Sequence, residues 1–420
     1  RGVAWYTTGE PISRVWGTSL SRQGGDGVQS GFVTAEIEGK KVMLLTTPVY
    51  SEEEGKVKGR LHLWLTDNSR VHDIGPVSRE VDDAAASSLL YRSGAPEELV
   101  LLYEKKKDGD SYGLVSLSLA KQLEQIKSVV QTWKEMDAAL QSCSSSAAVG
   151  TRINGVCNSP VPTEGLVGLL SNTLVGTAWV DEYRGVNATV HGATTKFSNG
   201  VTFSGARAGA EWPVGSRGQN QPYYFANNGF TLVATVTIHA VPDEDTPLLG
   251  VRMNDTEGTV LLGVSYTSDK KWEVTAGGKS RSLTDGGDVT WEADTAYQVI
   301  LQMDTDDELS VYVDGDEIYD GEDEDEEDDG GIASWVGKLF TPHRISHFYV
   351  GGDGAEDTKS SHHVTVSSVL LYNRALGEKE ITQLAGSKVA LGGPAAGKKA
   401  ASCRRLLRCS PLWVGRLFPK

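Results

Sequence analysis

The sequence predicts a mainly β protein in which two β regions are joined by one long helix. Strand-length apolar alternation fills residues 30–118 and returns over 163–386. Between them lies a single segment with three-to-four apolar spacing, and the 48 glycines are spread along all 420 residues, as tight turns between short strands require.

In order along the chain, "FVTAEI" and "KVMLLT" flank a turn at Glu38-Gly39 and read as a hairpin. In "RLHLWLT", Leu61, Leu63 and Leu65 fall on one face and Arg60, His62 and Trp64 on the other. "SSLLY", "LVLLYE" and "YGLVSLSL" follow, joined by "RSGAPEE" and "KKDGD". Starts about ten residues apart with hairpin-length links suit meandering blades, too few of them within residues 1–118 to close a ring. Residues 120–141 place Leu123, Ile126, Val130, Trp133 and Leu140 on one helical stripe, which has to pack on something and so predicts a rigid joint over 119–162. From "FTLVATVTI" to "VTVSSVLLYNR" the strands resume without helices, which reads as a β-sandwich over 163–386.

Charge and cysteine usage bound the function. The net charge is −16, and residues 320–329, "DGEDEDEEDD", hold nine of the acids, read as a solvated loop because calcium-loop spacing is missing. Residues 387–420 are basic and predict a disordered tail. No basic stripe with interleaved aromatics occurs, which excludes nucleic-acid binding. No apolar run reaches transmembrane length. The start at Arg1, without initiator Met or signal-peptide core, reads as a processed end or a fragment. Cys143 and Cys157 suit a disulfide in a secreted protein, two free thiols being the alternative. Asn187 and Asn254 head glycosylation sequons, which agree with secretion to the cell surface or beyond.

No motif for a metal, a nucleotide or a serine nucleophile is present, so no cofactor and no metal is expected. His62 reads as a structural residue; Asp67 and Asp314 read as turn residues.

"VTVSSVLLYNR" closely resembles the subterminal signature of the trypanosome trans-sialidase superfamily, with Ser368 in place of its asparagine. "IEGKKVMLLTTP", "GRLHLWLTDNSRVHDIG", "IKSVVQTWKEMD" and "GFTLVATVTI" resemble the same family in the same order. The resemblance implies a partial sialidase-type β-propeller, a connecting helix and a concanavalin-type, lectin-like sandwich. Active members grip the sialic acid carboxylate with three arginines and attack with a tyrosine, paired with a glutamate, while an aspartate serves as acid/base. By that resemblance Ala86 stands at the nucleophile, Lys58 at the third arginine and Lys56 at a stacking tryptophan, while Glu104 is retained. Arg60 could serve in place of Lys58 only in a slipped register, and the family's other catalytic groups align ahead of Arg1. The expectation is a catalytically degenerate surface glycoprotein binding host-cell glycans or glycoproteins, the alternative being a portion of an active sialidase with Tyr91 as nucleophile. The signature region, with Val364, Val366, Val369, Tyr372, Asn373 and Arg374, is linked in the family with host-cell adhesion. Surface members end in a hydrophobic anchor signal, which the basic tail does not match.

Overall fold

The computed structural model describes residues 29–53, 56–107, 111–144, 156–197, 200–215, 221–281, 283, 289–306, 308–321, 345–354 and 363–389. Outside them lie the first 28 residues, the acidic run beyond Gly321, Cys403, Cys409 and the basic tail beyond Val389.

The chain begins with two antiparallel sheets. In the first, β1 (Gly31–Ile37), β2 (Lys40–Glu53), β3 (Lys56–Thr66) and β4 (Val71–Pro76) pair in sequence order. Glu38 and Gly39 both take positive φ (51° and 70°), the turn whose twist matches a two-residue hairpin. In the second, β5 (Ala84–Arg92), β6 (Glu98–Lys106) and β7 (Tyr112–Ser118) do the same. Leu61, Leu63 and Leu65 are fully buried, as the alternation requires, but Trp64 on the opposite face is only 6% exposed. The two sheets meet along β1 and β5. Thr46 Oγ1 and Ser87 Oγ lie 2.9 Å apart there, and the Ser87 hydroxyl also accepts the Gly31 N–H at 3.2 Å.

Helix α1 (Ala120–Gln141) leaves the second sheet without a side-chain cap at Leu119. Tertiary burial therefore holds it more than local signals do. Its stripe, Leu123, Ile126, Val130, Trp133 and Leu140 with Val129 and Met136 added, joins one core with the sheets beneath it. Cys143 and Cys157 form a disulfide just past its end.

The sandwich follows as β8 (Leu166–Val175), β9 (Ala178–Asp181), β10 (Ala188–Phe197), β11 (Gly200–Pro213), β12 (Phe230–Ile238), β13 (Thr246–Met253) and β14 (Val260–Tyr266). It continues with β15 (Trp272–Ala276), β16 (Lys279–Arg281), β17 (Ala296–Met303), β18 (Leu309–Val313), β19 (Asp316–Asp320), β20 (Ile345–Asp353) and β21 (His363–Tyr372). Strand β11 serves both layers: Val201 pairs with Val366 of β21, and Ala210 with Val350 of β20. One large core fills the space between them.

Strands β12 and β21 are buried on both faces. Leu232, Ala234 and Val236 face the sandwich core, whereas Val233, Leu370 and Tyr372 face the core shared with α1. Two-sided burial explains why their sequences read as continuous apolar runs rather than alternations.

The expectation of a helix-free sandwich region is wrong at its end. Residues Glu378–Ser387 form α2, with Ile381 and Leu384 buried against the shared core. Glu380 Oε2 accepts the Gly377 N–H at 3.2 Å, closing the first turn. Ten residues with two buried apolar positions carry too little periodicity to stand out in a strand-rich sequence.

The joint between blades and sandwich is polar as well as apolar. Arg70, 5% exposed at the end of the β3–β4 turn, forks onto Asp137 of α1 (2.6 and 3.2 Å) and donates through Nε to the Leu166 carbonyl (2.9 Å). Trp133 Nε1 donates to the Tyr183 carbonyl at 2.8 Å, and Tyr183 donates its hydroxyl to Asp137 at 2.7 Å. His72 Nδ1 lies 2.6 Å from the Arg184 carbonyl. Burial holds its imidazole below the usual value, so near neutral pH it is uncharged and donates.

Candidate functional site

The residues singled out by resemblance converge where β3 meets β5. Ala84 pairs with Lys105 and Ser87 with Tyr103, so β5 carries one extra residue and Ala85 and Ala86 bulge from the ladder. Across from them, Gly59 of β3 donates its N–H to Asp83 Oδ1 at 2.8 Å. A Cβ at position 59 would stand 2.5 Å from the Ala84 carbonyl oxygen, so only glycine permits this approach. Lys58 therefore lies beside the bulge, and Arg60 lies two residues on along the same face.

The two cations differ in what they touch. Lys58 Nζ donates one of its three N–H groups to the Glu80 carbonyl at 2.6 Å, in the loop that leads into β5. Arg60 pairs with Val49 in the β2–β3 ladder, and its buried Nε finds no hydrogen-bond partner among the described residues. The side chain of Lys56 is outside the described set.

Glu104 sits on β6 beside the bulge, half-buried and paired across the ladder with Leu114. Its neighbours are already committed. Tyr103 donates its hydroxyl to Asp82 Oδ2 at 2.6 Å, and Lys105 Nζ reaches Asp82 Oδ1 at 3.2 Å. Burial pushes the Asp82 carboxyl up, but these two donors outweigh it and hold the group below its ordinary value.

Chemically, the bulge offers methyl groups. Tyr103 is 1% exposed and faces the core, out of reach of a substrate. Tyr91, five residues beyond Ala86, donates its hydroxyl to Glu97 at 2.9 Å. Burial, and then that carboxylate, push its phenol up, and the ring packs against the core beneath the sheets. No cluster of three or more metal-ligating side chains is present among the described residues.

The other sequence-selected residues lie elsewhere. His62 Nδ1 sits 2.8 Å from Asp73, and Asp67 Oδ1 accepts the Ser69 and Arg70 N–H groups as a turn residue does. Asp67 also holds Lys40 and Arg70, a role its turn position did not announce. Asp314, at φ 55°, accepts the Gln298 N–H.

In the signature, Val364, Val366, Val369 and Tyr372 are all fully buried. Tyr372 donates to the Pro162 carbonyl at 2.9 Å, and Asn373 Nδ2 to the Ser69 carbonyl at 3.2 Å. Arg374 forks onto Glu380 and also reaches the Glu164 carbonyl. These contacts make the corner an architectural clamp, with the four apolar side chains closed to any partner in the folded chain. Asn187 is exposed in the loop just before β10, and Asn254 is half-buried in the bend after β13.

Comparison with known proteins agrees with this arrangement. Residues 162–379 match the trans-sialidase C-terminal domain, and residues 1–104 match the BNR repeat-like domain. A sialidase of Trypanosoma cruzi is 37% identical over 390 residues, covering 92% of this chain and 32% of that protein. Sialidase 85-1.1 of the same organism is 34% identical over 361 residues, 83% of this chain and 43% of its own. The solved Trypanosoma rangeli sialidase is 38% identical with a TM-score of 0.69, covering 86% of this chain and 53% of its own. The same enzyme solved with sialic acid gives a TM-score of 0.70. This chain thus spans about a third to just over half the length of these relatives.

Proposed function

This chain belongs to the trans-sialidase family, and from that premise we propose that it is a non-catalytic member, a secreted or cell-surface glycoprotein that binds host-cell glycans or glycoproteins. One observation carries the proposal. The bulge of β5, which by resemblance holds the attacking tyrosine, presents Ala86, and no hydroxyl, thiol or imidazole replaces it. An alanine methyl cannot form a glycosyl-enzyme. Lys58 supports the same reading, because an ammonium lacks the planar fork with which arginine grips a carboxylate through two parallel hydrogen bonds.

Adhesion falls to surfaces other than the buried signature, namely the sandwich loops and exposed strand faces. The disulfide fits an oxidising compartment. No helix among the described residues is long and apolar enough to cross a membrane.

Two measurements test the proposal. Turnover of a fluorogenic sialoside should equal that of the boiled protein; activity above it, abolished by Tyr91→Phe, would establish the chain as part of an active sialidase. On an array of sialylated and desialylated β-galactosides, the full chain should be retained on at least one glycan class or on desialylated glycoprotein. Absence of retention on every surface would remove the binding half of the proposal.

A further inference from the structure

The loop between β9 and β10 carries two features on one short stretch. Its first half grips the joint: Tyr183 holds Trp133 and Asp137, and Arg184 donates to Ser128 Oγ of α1 at 3.0 Å. Its second half runs into Asn187, Ala188 and Thr189, with Asn187 and Thr189 exposed and Ala188 buried at the start of β10.

Asn187 is held in a defined pose. Its Oδ1 accepts the Asp181 N–H at 3.0 Å, which fixes the amide with its carbonyl side engaged and Nδ2 as the free end of an exposed group. A substituent on Nδ2 leaves that hydrogen bond intact. Asn254 differs. It is half-buried in the turn between β13 and β14, which Arg252 ties to the Gly258 carbonyl and Asp255 ties to the Thr259 N–H. The Cys143–Cys157 disulfide adds an independent observation, since it forms in the same oxidising secretory compartment in which sequons meet their transferase.

We propose that Asn187 is an N-glycosylation site. The co-reactant is an oligosaccharide on a lipid diphosphate. The Asn187 Nδ2–C1 bond forms as the C1–O bond to the diphosphate breaks, the lipid diphosphate departs, and one amide proton is lost. The glycan leaves from the exposed end of the β9–β10 loop, three residues after Arg184.

The proposal rests on the reading of this chain as secreted or surface-borne, but its test needs no ligand, so a failure of the adhesion reading leaves it standing. The full chain is sent through the secretory pathway of a eukaryotic host, then deglycosylated by a peptide N-glycosidase in heavy-oxygen water. Mass spectrometry of the 187-containing peptide should show Asn187 converted to Asp with the heavy oxygen. Thr189→Ala should abolish the label while preserving the Asn187–Asp181 bond, Thr189→Ser should retain it, and Asn254→Gln should leave it unchanged. An unlabelled Asn187 in disulfide-bonded product, or a label that survives Thr189→Ala, overturns the proposal.

Discussion

Replacing Arg70 by alanine strikes the joint at its most connected side chain. Arg70 is 5% exposed, forks onto Asp137, touches Asp67, donates to the Leu166 carbonyl and lies 4.3 Å from the Tyr183 ring centroid. Removing one member of a buried, hydrogen-bonded pair costs about 3–5 kcal/mol, because the remaining charge stays buried without its partner. Here both carboxylates retain another donor, Tyr183 for Asp137 and Lys40 for Asp67, each at 2.7 Å. The expected loss therefore falls at the lower end, about 3 kcal/mol, a large fraction of a typical 5–15 kcal/mol total. Urea unfolding at neutral pH, followed by tryptophan fluorescence, measures it. The acid limb gives a second readout. Burial pushes the Asp67 carboxyl up, but Arg70, then Lys40, outweigh it and hold the group below its ordinary 3.8. A depressed carboxyl contributes stability that is present above 3.8 and lost as pH falls through the lower folded value. Arg70→Ala should move that acid loss up toward 3.8. A loss below about 1 kcal/mol, the worth of an exposed pair, with no change in the acid limb, would refute the buried-pair account.

Other perturbations test other parts of the fold. Cys143→Ser should cost about 3 kcal/mol, the loop-closure entropy expected for a closed loop of this length (separation 14), and equilibrium unfolding of the oxidised and variant chains compares them. Gly250→Ala should destabilise by about 1–3 kcal/mol, because its Cβ would enter the ring of buried Tyr349; an unchanged melting temperature would mean that the ring swings aside. Burial pushes the Asp181 carboxyl up to about 6, against the Leu169, Tyr183 and Gly185 N–H donors. Its stabilising contribution is present below 3.8 and lost as pH rises through about 6, so Asp181→Asn should flatten the stability profile between pH 4 and 7. Superimposable profiles would contradict that.

Much of the fold was legible in the sequence because its signals are local. The Glu38-Gly39 turn, the Leu61-Leu63-Leu65 alternation and the stripe of α1 each depend on neighbours within a few residues, and each appears in the structure. The candidate site was legible only in identity: resemblance put Ala86 and Lys58 at functional positions, and residue type alone says what an alanine cannot do.

Tertiary structure decided the rest, since the deciding partners are far apart in the chain. Arg70 meets Asp137 across 67 residues, and Asn373 meets Ser69 across 304. Lys58 meets the Glu80 carbonyl through a loop that no periodicity describes. The signature strand shows the division most clearly. Its apolar run announces a strand, but only the packing of α1 on one side and the sandwich core on the other shows that both faces are closed. Local sequence sets which conformations are cheap; which surfaces remain for a partner follows from burial, and burial depends on the whole chain.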